Sequence, residues 1–260
     1  MELQGLDPLR RQSFSVHRYL YADQIKHILE QMNVFIVFAH PEPKSFNGAL
    51  LQTTCKILER QGHAVKVSDL YAMNFNPVSS RKNFTTTSDP NYLKLQREEM
   101  FAAEAGGFAP DLKAEMDKLL WCDLLLLQFP LWWFGLPAIL KGWVDRVFAM
   151  GFAYGSGKIY ETGMFRGKRA MCSLTTGSPG RTYAQGGLNG EIDLVLFPIQ
   201  HGMFSFCGFE VLPPCIAYGP AHLDDENRRR YFAQFSARME SLSDAEPIRF
   251  DRLMNLPPSK

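Results

Sequence analysis

The most constraining feature of the chain is the apolar run Val34-Phe35-Ile36-Val37-Phe38-Ala39, too short for a helix and rich in β-branched and aromatic side chains. Such a run is predicted to be a strand buried on both faces, the mark of a parallel sheet covered by helices. The rest of the chain keeps to that scheme. The pattern predicts a helix from about Phe46 to Gln61, stopped by Gly62 as a cap. Val65, Val67 and Leu70 mark a second strand, Leu124-Leu125-Leu126-Leu127 a third and Ala170 to Leu174 a fourth. Phe209 to Tyr218 contains a fifth, interrupted by Pro213-Pro214. Helical segments are expected around Tyr92 to Ala105 and Asp111 to Trp121, and from Pro137 to about Ala149. A last helix should begin at Asp224-Asp225-Glu226, whose charge suits a helix start, and bury Phe232, Phe235, Met239 and Leu242. Alternating strands and helices imply right-handed crossovers, hence an α/β doubly wound parallel sheet with helices on both faces.

Five strands suit the flavodoxin-like order, in which a ligand sits at strand C-terminal ends beside the topological switch point. The 260 residues carry 28 basic and 27 acidic side chains, a net charge of +1, with 46% hydrophobic residues, values that exclude disorder. No nucleic-acid partner and no polybasic membrane surface are expected from that balance. The cysteines Cys55, Cys122, Cys172, Cys207 and Cys215 are odd in number and scattered, so neither a disulfide framework nor a cysteine-based zinc site is indicated. A reducing compartment, the cytoplasm, fits best. Trp121 to Leu140 imitates a membrane span, but Asp123, Gln128, Pro130, Gly135 and Pro137 would break it, and no apolar block follows Met1. Residues 1–32 are taken as an N-terminal extension of unknown role, with an amphipathic helix around Tyr21 to Met32, and residues 33–260 as one domain.

Chemistry is expected in the loops after strands one, three and four. The first, Ala39-His40-Pro41-Glu42-Pro43-Lys44-Ser45-Phe46-Asn47, leads into a helix N-terminus with Ser45, Asn47 and Lys44 beside free backbone N–H groups, an anion site suited to a pyrophosphate. A plain capping region with a surface His and Lys is an equal alternative for this loop alone. Gly155-Ser156-Gly157-Lys158 lacks the earlier glycine and following hydroxyl of a Walker loop, and no G-x-G-x-x-G follows the first strand. Kinase, NTPase and Rossmann dehydrogenase chemistry are thereby set aside. The second loop, Gln128-Phe129-Pro130-Leu131-Trp132-Trp133-Phe134-Gly135, sets aromatics and backbone amides at a strand end, where a flat heterocycle or an aromatic core cluster would use them. The third, Thr175-Thr176-Gly177-Ser178-Pro179-Gly180, with Tyr183 and the glycine-rich stretch to Gly190, allows close approach to a ring and supplies a hydroxyl.

These segments, with Ser68 to Pro77, Pro137-Ala138-Ile139-Leu140-Lys141-Gly142-Trp143 and Phe206-Cys207-Gly208-Phe209, closely resemble the NAD(P)H:quinone oxidoreductase, or DT-diaphorase, family from about Asn33 to Pro247. The resemblance implies a flavodoxin-like FAD enzyme, a homodimer with active sites at the subunit interface, and two-electron transfer from NAD(P)H to quinones. It assigns His40, Ser45, Phe46 and Asn47 to the flavin phosphates and ribityl chain. Pro130, Leu131, Trp132, Trp133 and Phe134 would lie along the isoalloxazine, Thr175, Thr176, Gly177 and Tyr183 around its pyrimidine edge, and Arg228 near the adenylate. The substrate would be bounded by Trp133, Phe134, Gly177, Tyr154, Phe206 and His222 from either subunit, with Tyr183 and Asn189 as the catalytic pair.

Departures from the diaphorase pattern qualify this. Asn189 replaces the histidine that relays a proton with the loop tyrosine, and Ser156 replaces a second pocket tyrosine. The chain also ends without the diaphorase's long C-terminal segment. All three features resemble the shorter paralogue that uses ribosyl-dihydronicotinamides. That paralogue's structural zinc site is reduced here to His201, with Ser205 and Phe250 in the other two places, so no metal is expected. Three alternatives remain at this level: a ribosyl-dihydronicotinamide-dependent quinone reductase, an azo- or nitroreductase, and a flavin-binding regulatory subunit of a membrane transporter.

Overall fold

The computed structural model describes residues 31–250; the expected helix around Tyr21 to Met32 and most of the proposed extension lie outside them. Its elements are β1 (Asn33–Phe38), α1 (Phe46–Arg60), β2 (Ala64–Asp69), α2 (Leu95–Ala105), α3 (Pro110–Trp121), β3 (Leu124–Pro130), α4 (Ala138–Val147), β4 (Arg169–Thr176), α5 (Ile192–Ile199), β5 (Glu210–Val211), β6 (Cys215–Tyr218) and α6 (Asp225–Glu240). All strand pairs are parallel and run in the order β2-β1-β3-β4-β5, with β6 also on β4. β5 pairs with the start of β4 and β6 with its end, from Ser173↔Cys215 to Thr176↔Tyr218. They are two pieces of one edge strand split around Pro213-Pro214, which have no N–H for the ladder and are tolerated at an edge. The expected flavodoxin-like sheet is therefore present, with its switch point between β1 and β3.

Pleating explains how one apolar run feeds two cores. Phe35, Val37, Leu125 and Leu127 pack on one face with Leu112, Trp143, Phe148 and Phe209. Val34, Ile36, Leu124 and Leu126 pack on the other with Leu50, Leu58, Phe235 and Met239. Ser45 caps α1 by accepting from the Gly48 N–H at 3.1 Å, and Asp224 caps α6 by accepting from the Asn227 N–H at 2.8 Å. Gly62 stands just past α1 at φ 84°, which suits its predicted role. No helix is predicted over 191–205, yet α5 and a π-helical turn, Gln200–Ser205, occupy it. The segment Ile192-Asp-Leu-Val-Leu-Phe-Pro-Ile is apolar on most sides and holds Pro198, so it carries no amphipathic period to read.

A buried polar cluster locks α3 to the sheet and α4. Glu115, fully buried, accepts from Trp143 Nε1 at 2.8 Å, Ser68 Oγ at 3.1 Å and Lys118 Nζ at 2.6 Å. Arg146 similarly pins the long segment after β2, donating to Asn83 Oδ1 at 2.9 Å, to the Asn76 carbonyl at 2.6 Å and to Asp111 Oδ2 at 3.2 Å. The same segment is held at its far end by Glu98, which accepts from the Ser88 and Asp89 N–H groups at 2.7 and 2.8 Å. The Ser88 N–H holds the Glu98 carboxyl below its usual range, opposed by burial and aided by Asp89 N–H and Arg81. A depressed folded value means that this anchor is intact above the ordinary carboxylate range and is lost as pH falls through the folded value. Protection of the Ser88 and Asp89 amides against hydrogen exchange, corrected for intrinsic rates, should fall on acidification; constant protection would contradict the anchor.

Candidate functional site

Three strand ends and two helix ends meet in one cleft of about 680 Å³, lined by His40, Lys44, Ser45, Phe46, Asn47, Ala49, Pro130, Leu131, Trp132, Thr175, Thr176, Gly177, Pro220, Ala221 and Arg228. The volume falls within the roughly 300–1,000 Å³ typical of ligand sites. Its position follows from topology, because β1, β3 and β4 all deliver their C-terminal loops to the same edge of the sheet.

The floor is the N-terminus of α1. There the Phe46 and Asn47 N–H groups have no intrahelical carbonyl within reach, and the helix dipole adds positive potential. The chain reaches this point only because residue 48 is glycine: a Cβ would lie 2.8 Å from the Pro43 carbonyl carbon and overlap its oxygen. Glu42 N–H lies 3.0 Å from His40 Nδ1, and in the tautomer that accepts this bond the ring offers an Nε2–H donor. Arg228 joins the lining from α6, held by Asp225 at 3.2 Å. The lining contains His, Lys and Arg but no Asp or Glu. Such a donor set suits an anion with more than one negative group.

Three predicted contact residues are engaged elsewhere through their side chains. Asn47 donates to Thr175 Oγ1 at 2.8 Å and accepts from Gln128 Nε2 at 2.7 Å, all three being buried. Asn47 and Thr175 therefore fasten α1 to the ends of β3 and β4, and what they offer the cleft is backbone. Thr176 Oγ1 donates to the Ser178 carbonyl at 2.7 Å. Beside them, a Cβ on Gly177 would meet nothing within 4 Å, so a flat ring can approach the backbone there.

The aromatic loop forms a tight turn in which Trp132 N–H donates to the Gly135 carbonyl at 3.2 Å and Gly135 N–H returns the bond at 3.0 Å. Its central residues, Trp133 and Phe134, hold φ of 50° and 59°. Bulky residues in this left-handed region cost on the order of 1–3 kcal/mol each and persist at sites where surrounding structure imposes them. Trp132 lines the cleft, whereas Trp133 stands 97% exposed and Phe134 52%.

The remaining predicted residues lie outside that lining. Tyr183 is buried in the turn Gly180–Tyr183 with its ring 6.0 Å from Tyr218, and Asn189 Nδ2 donates to Thr182 Oγ1 at 3.1 Å, tying the glycine-rich loop back. His222 is exposed just beyond Pro220 and Ala221. Tyr154 and Phe206, their rings 5.7 Å apart, line a second cleft of about 500 Å³ with Gln96, Glu99, Asp145, Phe148 and Met203. The sequence offered no sign of Glu99 or Gln96 there, because neither lies near a strand end. Gly48 was legible only as one more residue of a helix. His201 stacks on Phe197 at 4.6 Å with Tyr160 and Phe250 close by, and burial pushes its imidazole down. Among the described residues no three His, Cys, Asp or Glu side chains come together as metal ligands. Burial also pushes the thiols of Cys122, Cys207 and Cys215 up to about 11, 12 and 11, which rules them out as thiolate nucleophiles near neutral pH.

Residues 32–241 match the family model described as a flavodoxin-like fold. The human ribosyldihydronicotinamide dehydrogenase [quinone] is 44% identical over 216 residues, covering 83% of this chain and 94% of that protein. The chain belongs to the NAD(P)H:quinone oxidoreductase family. Its guinea pig (Cavia porcellus) member, NAD(P)H dehydrogenase [quinone] 1, is 42% identical over 216 residues, covering 83% of this chain and 78% of that protein. A crystal structure of a proposed quinone reductase from Klebsiella pneumoniae superposes with a TM-score of 0.81 at 41% identity, covering 84% of this chain and 87% of that one. Family membership gives the switch-point cleft a use. No described helix is long and apolar enough to cross a membrane.

Proposed function

We propose that this chain is a quinone reductase that moves hydride from a reduced nicotinamide through FAD to a quinone, in the cytoplasm and as a homodimer. The observation that carries this reading is the switch-point cleft, which joins cationic donors and a helix N-terminus to a slot lined by Leu131, Trp132 and the open backbone at Gly177. The residues present fit a flavin dinucleotide. The α1 N-terminus, Ser45, His40 and Lys44 would hold the pyrophosphate, and Arg228 would meet the adenylate that a mononucleotide lacks. When bound, a flavin supplies the two-electron carrier that neither aromatic nor thiol side chains of this chain provide.

The protein's part is placement and electrostatics. Backbone N–H groups at the β4 end would hold the polar edge of the ring, and Trp132 would close one flank. Tyr183, in the turn that follows β4, would donate its hydroxyl toward negative charge that develops at this edge. Tyr183→Phe should slow reduction of the bound flavin in rapid mixing by up to about 10²-fold, with little change in cofactor content. An unchanged reduction rate would remove that role. Asn189, held by Thr182, serves as a strut for the glycine-rich loop and has no proton to relay near neutral pH.

Exposed apolar side chains and a divided site support the dimer. The chain leaves Trp133, Leu188 and Leu194 strongly exposed and keeps Tyr154 and Phe206 in a cleft apart from the flavin slot. In the proposed dimer a second copy would cover the first group, and one subunit's second cleft would complete the site on the partner's ring. Trp133→Asp should shift the sedimenting species from dimer toward monomer and depress quinone turnover together; a dimer of unchanged turnover would contradict the shared site. Steady-state assays with NADH, NADPH and a ribosyl-dihydronicotinamide against one quinone test the function itself. All three donors should work by parallel-line, ping-pong kinetics, with little preference between NADH and NADPH.

A further inference from the structure

We propose that the second cleft selects acceptors bearing a cationic nitrogen, with the Glu99 carboxylate as the group that recognises it. The ring of the acceptor rests on the quinone-reductase reading above; its charge preference rests on this cleft alone. Glu99 is only 4% exposed, yet it lines the cleft, and one of its oxygens, Oε2, accepts from the Met150 N–H at 2.8 Å. Its other oxygen makes no hydrogen bond, and the residue no ion pair, among the described residues. A buried carboxylate without a counter-charge is costly, and burial accordingly pushes its pKa up. Ser79, on the same lining, has a hydroxyl oxygen that is buried and lacks any partner. The free Glu99 oxygen is not shut off from the cleft, and a carboxylate at the edge of a largely apolar cavity is matched most directly by a ligand that brings a positive charge.

The rest of the cleft agrees. Its lining holds Glu99 and Asp145 and no Lys, Arg or His, the reverse of the flavin slot. Asp145 is already paired with Lys141 at 2.5 Å, so Glu99 is the unmatched charge. Tyr154 and Phe206 add aromatic rings to the lining, and such rings attract a cation as well as stack on a flat acceptor. Gln96 Nε2 donates to the Tyr154 hydroxyl at 3.2 Å, which fixes the position of that side chain on the lining.

The test uses the flavin-loaded protein and three naphthoquinones of matched shape, carrying a trimethylammonium arm, its uncharged tert-butyl isostere and a sulfonate arm. Binding to the oxidised protein, without donor, should rank cation over neutral over anion, with the cation about tenfold tighter than its isostere. Glu99→Gln keeps an acceptor for the Met150 N–H, and should bring the cation-to-neutral ratio close to one. A wild-type ratio at or below one overturns the proposal without recourse to any variant, and so does a ratio that Glu99→Gln leaves in place. Turnover of the uncharged quinone reports separately on the reductase reading, so the two can fail independently.

Discussion

Gly48→Ala should strip the protein of its flavin. The third residue of α1 packs its Cα against the Pro43 carbonyl, and a methyl group there demands that the loop from His40 to Ser45 move outward. That loop carries His40, Lys44 and the Ser45 cap, and the Gly48 N–H is itself the donor that Ser45 Oγ accepts. The site and its support fail together, as a cradle built from backbone must when the backbone shifts. Purified Gly48→Ala should retain less than about a tenth of the wild-type flavin per chain, an affinity loss of at least about 1.4 kcal/mol. Far-UV dichroism should stay close to wild type, since the sheet does not depend on this contact. Full flavin occupancy in the variant would show that the α1 N-terminus is not the phosphate site.

The second large effect is on stability. Glu115→Ala leaves the Trp143 indole N–H, Ser68 and Lys118 without the carboxylate that all three address, in a place closed to water. Removing one partner of a buried charge pair commonly costs about 3–5 kcal/mol, and the Lys118 ammonium, partly accessible, recovers some of this by turning outward. A loss of about 3 kcal/mol is expected, or about 6–12 °C in Tm for a chain of this size. Glu115→Gln, which keeps the shape and can still accept from Trp143, should lose less. If Glu115→Ala unfolds within about 2 °C of wild type, the network contributes little to stability.

Much of the architecture was legible because its signals are local. The apolar runs at Val34 and Leu124 are β-rich and short, and their alternate residues fill opposite cores, as parallel pairing requires. Pro213-Pro214 marked the break in the edge strand before its register was known. Sequence did not disclose α5 and its π-helical turn, whose apolar residues lack a period, nor the roles of Asn47 and Thr175, which look like ligand groups and are fasteners. It grouped Tyr154 and Phe206 with the substrate without showing that within one chain they line a cleft of their own, with Gln96 and Glu99. Which side chain is spent on another side chain is a property of packing, and no spacing rule reports it.

The most direct measurement of the central claim is anaerobic titration of the purified, flavin-loaded protein, first with NADH and then with a quinone, followed by release and mass analysis of the chromophore. The account predicts one FAD per chain, bleached by about one equivalent of NADH and restored by about one equivalent of quinone, as two-electron transfer in separate half-reactions demands. A chromophore that is FMN alone would contradict the FAD assignment, and one that NADH fails to bleach, or that quinone fails to restore, would contradict the proposed reaction.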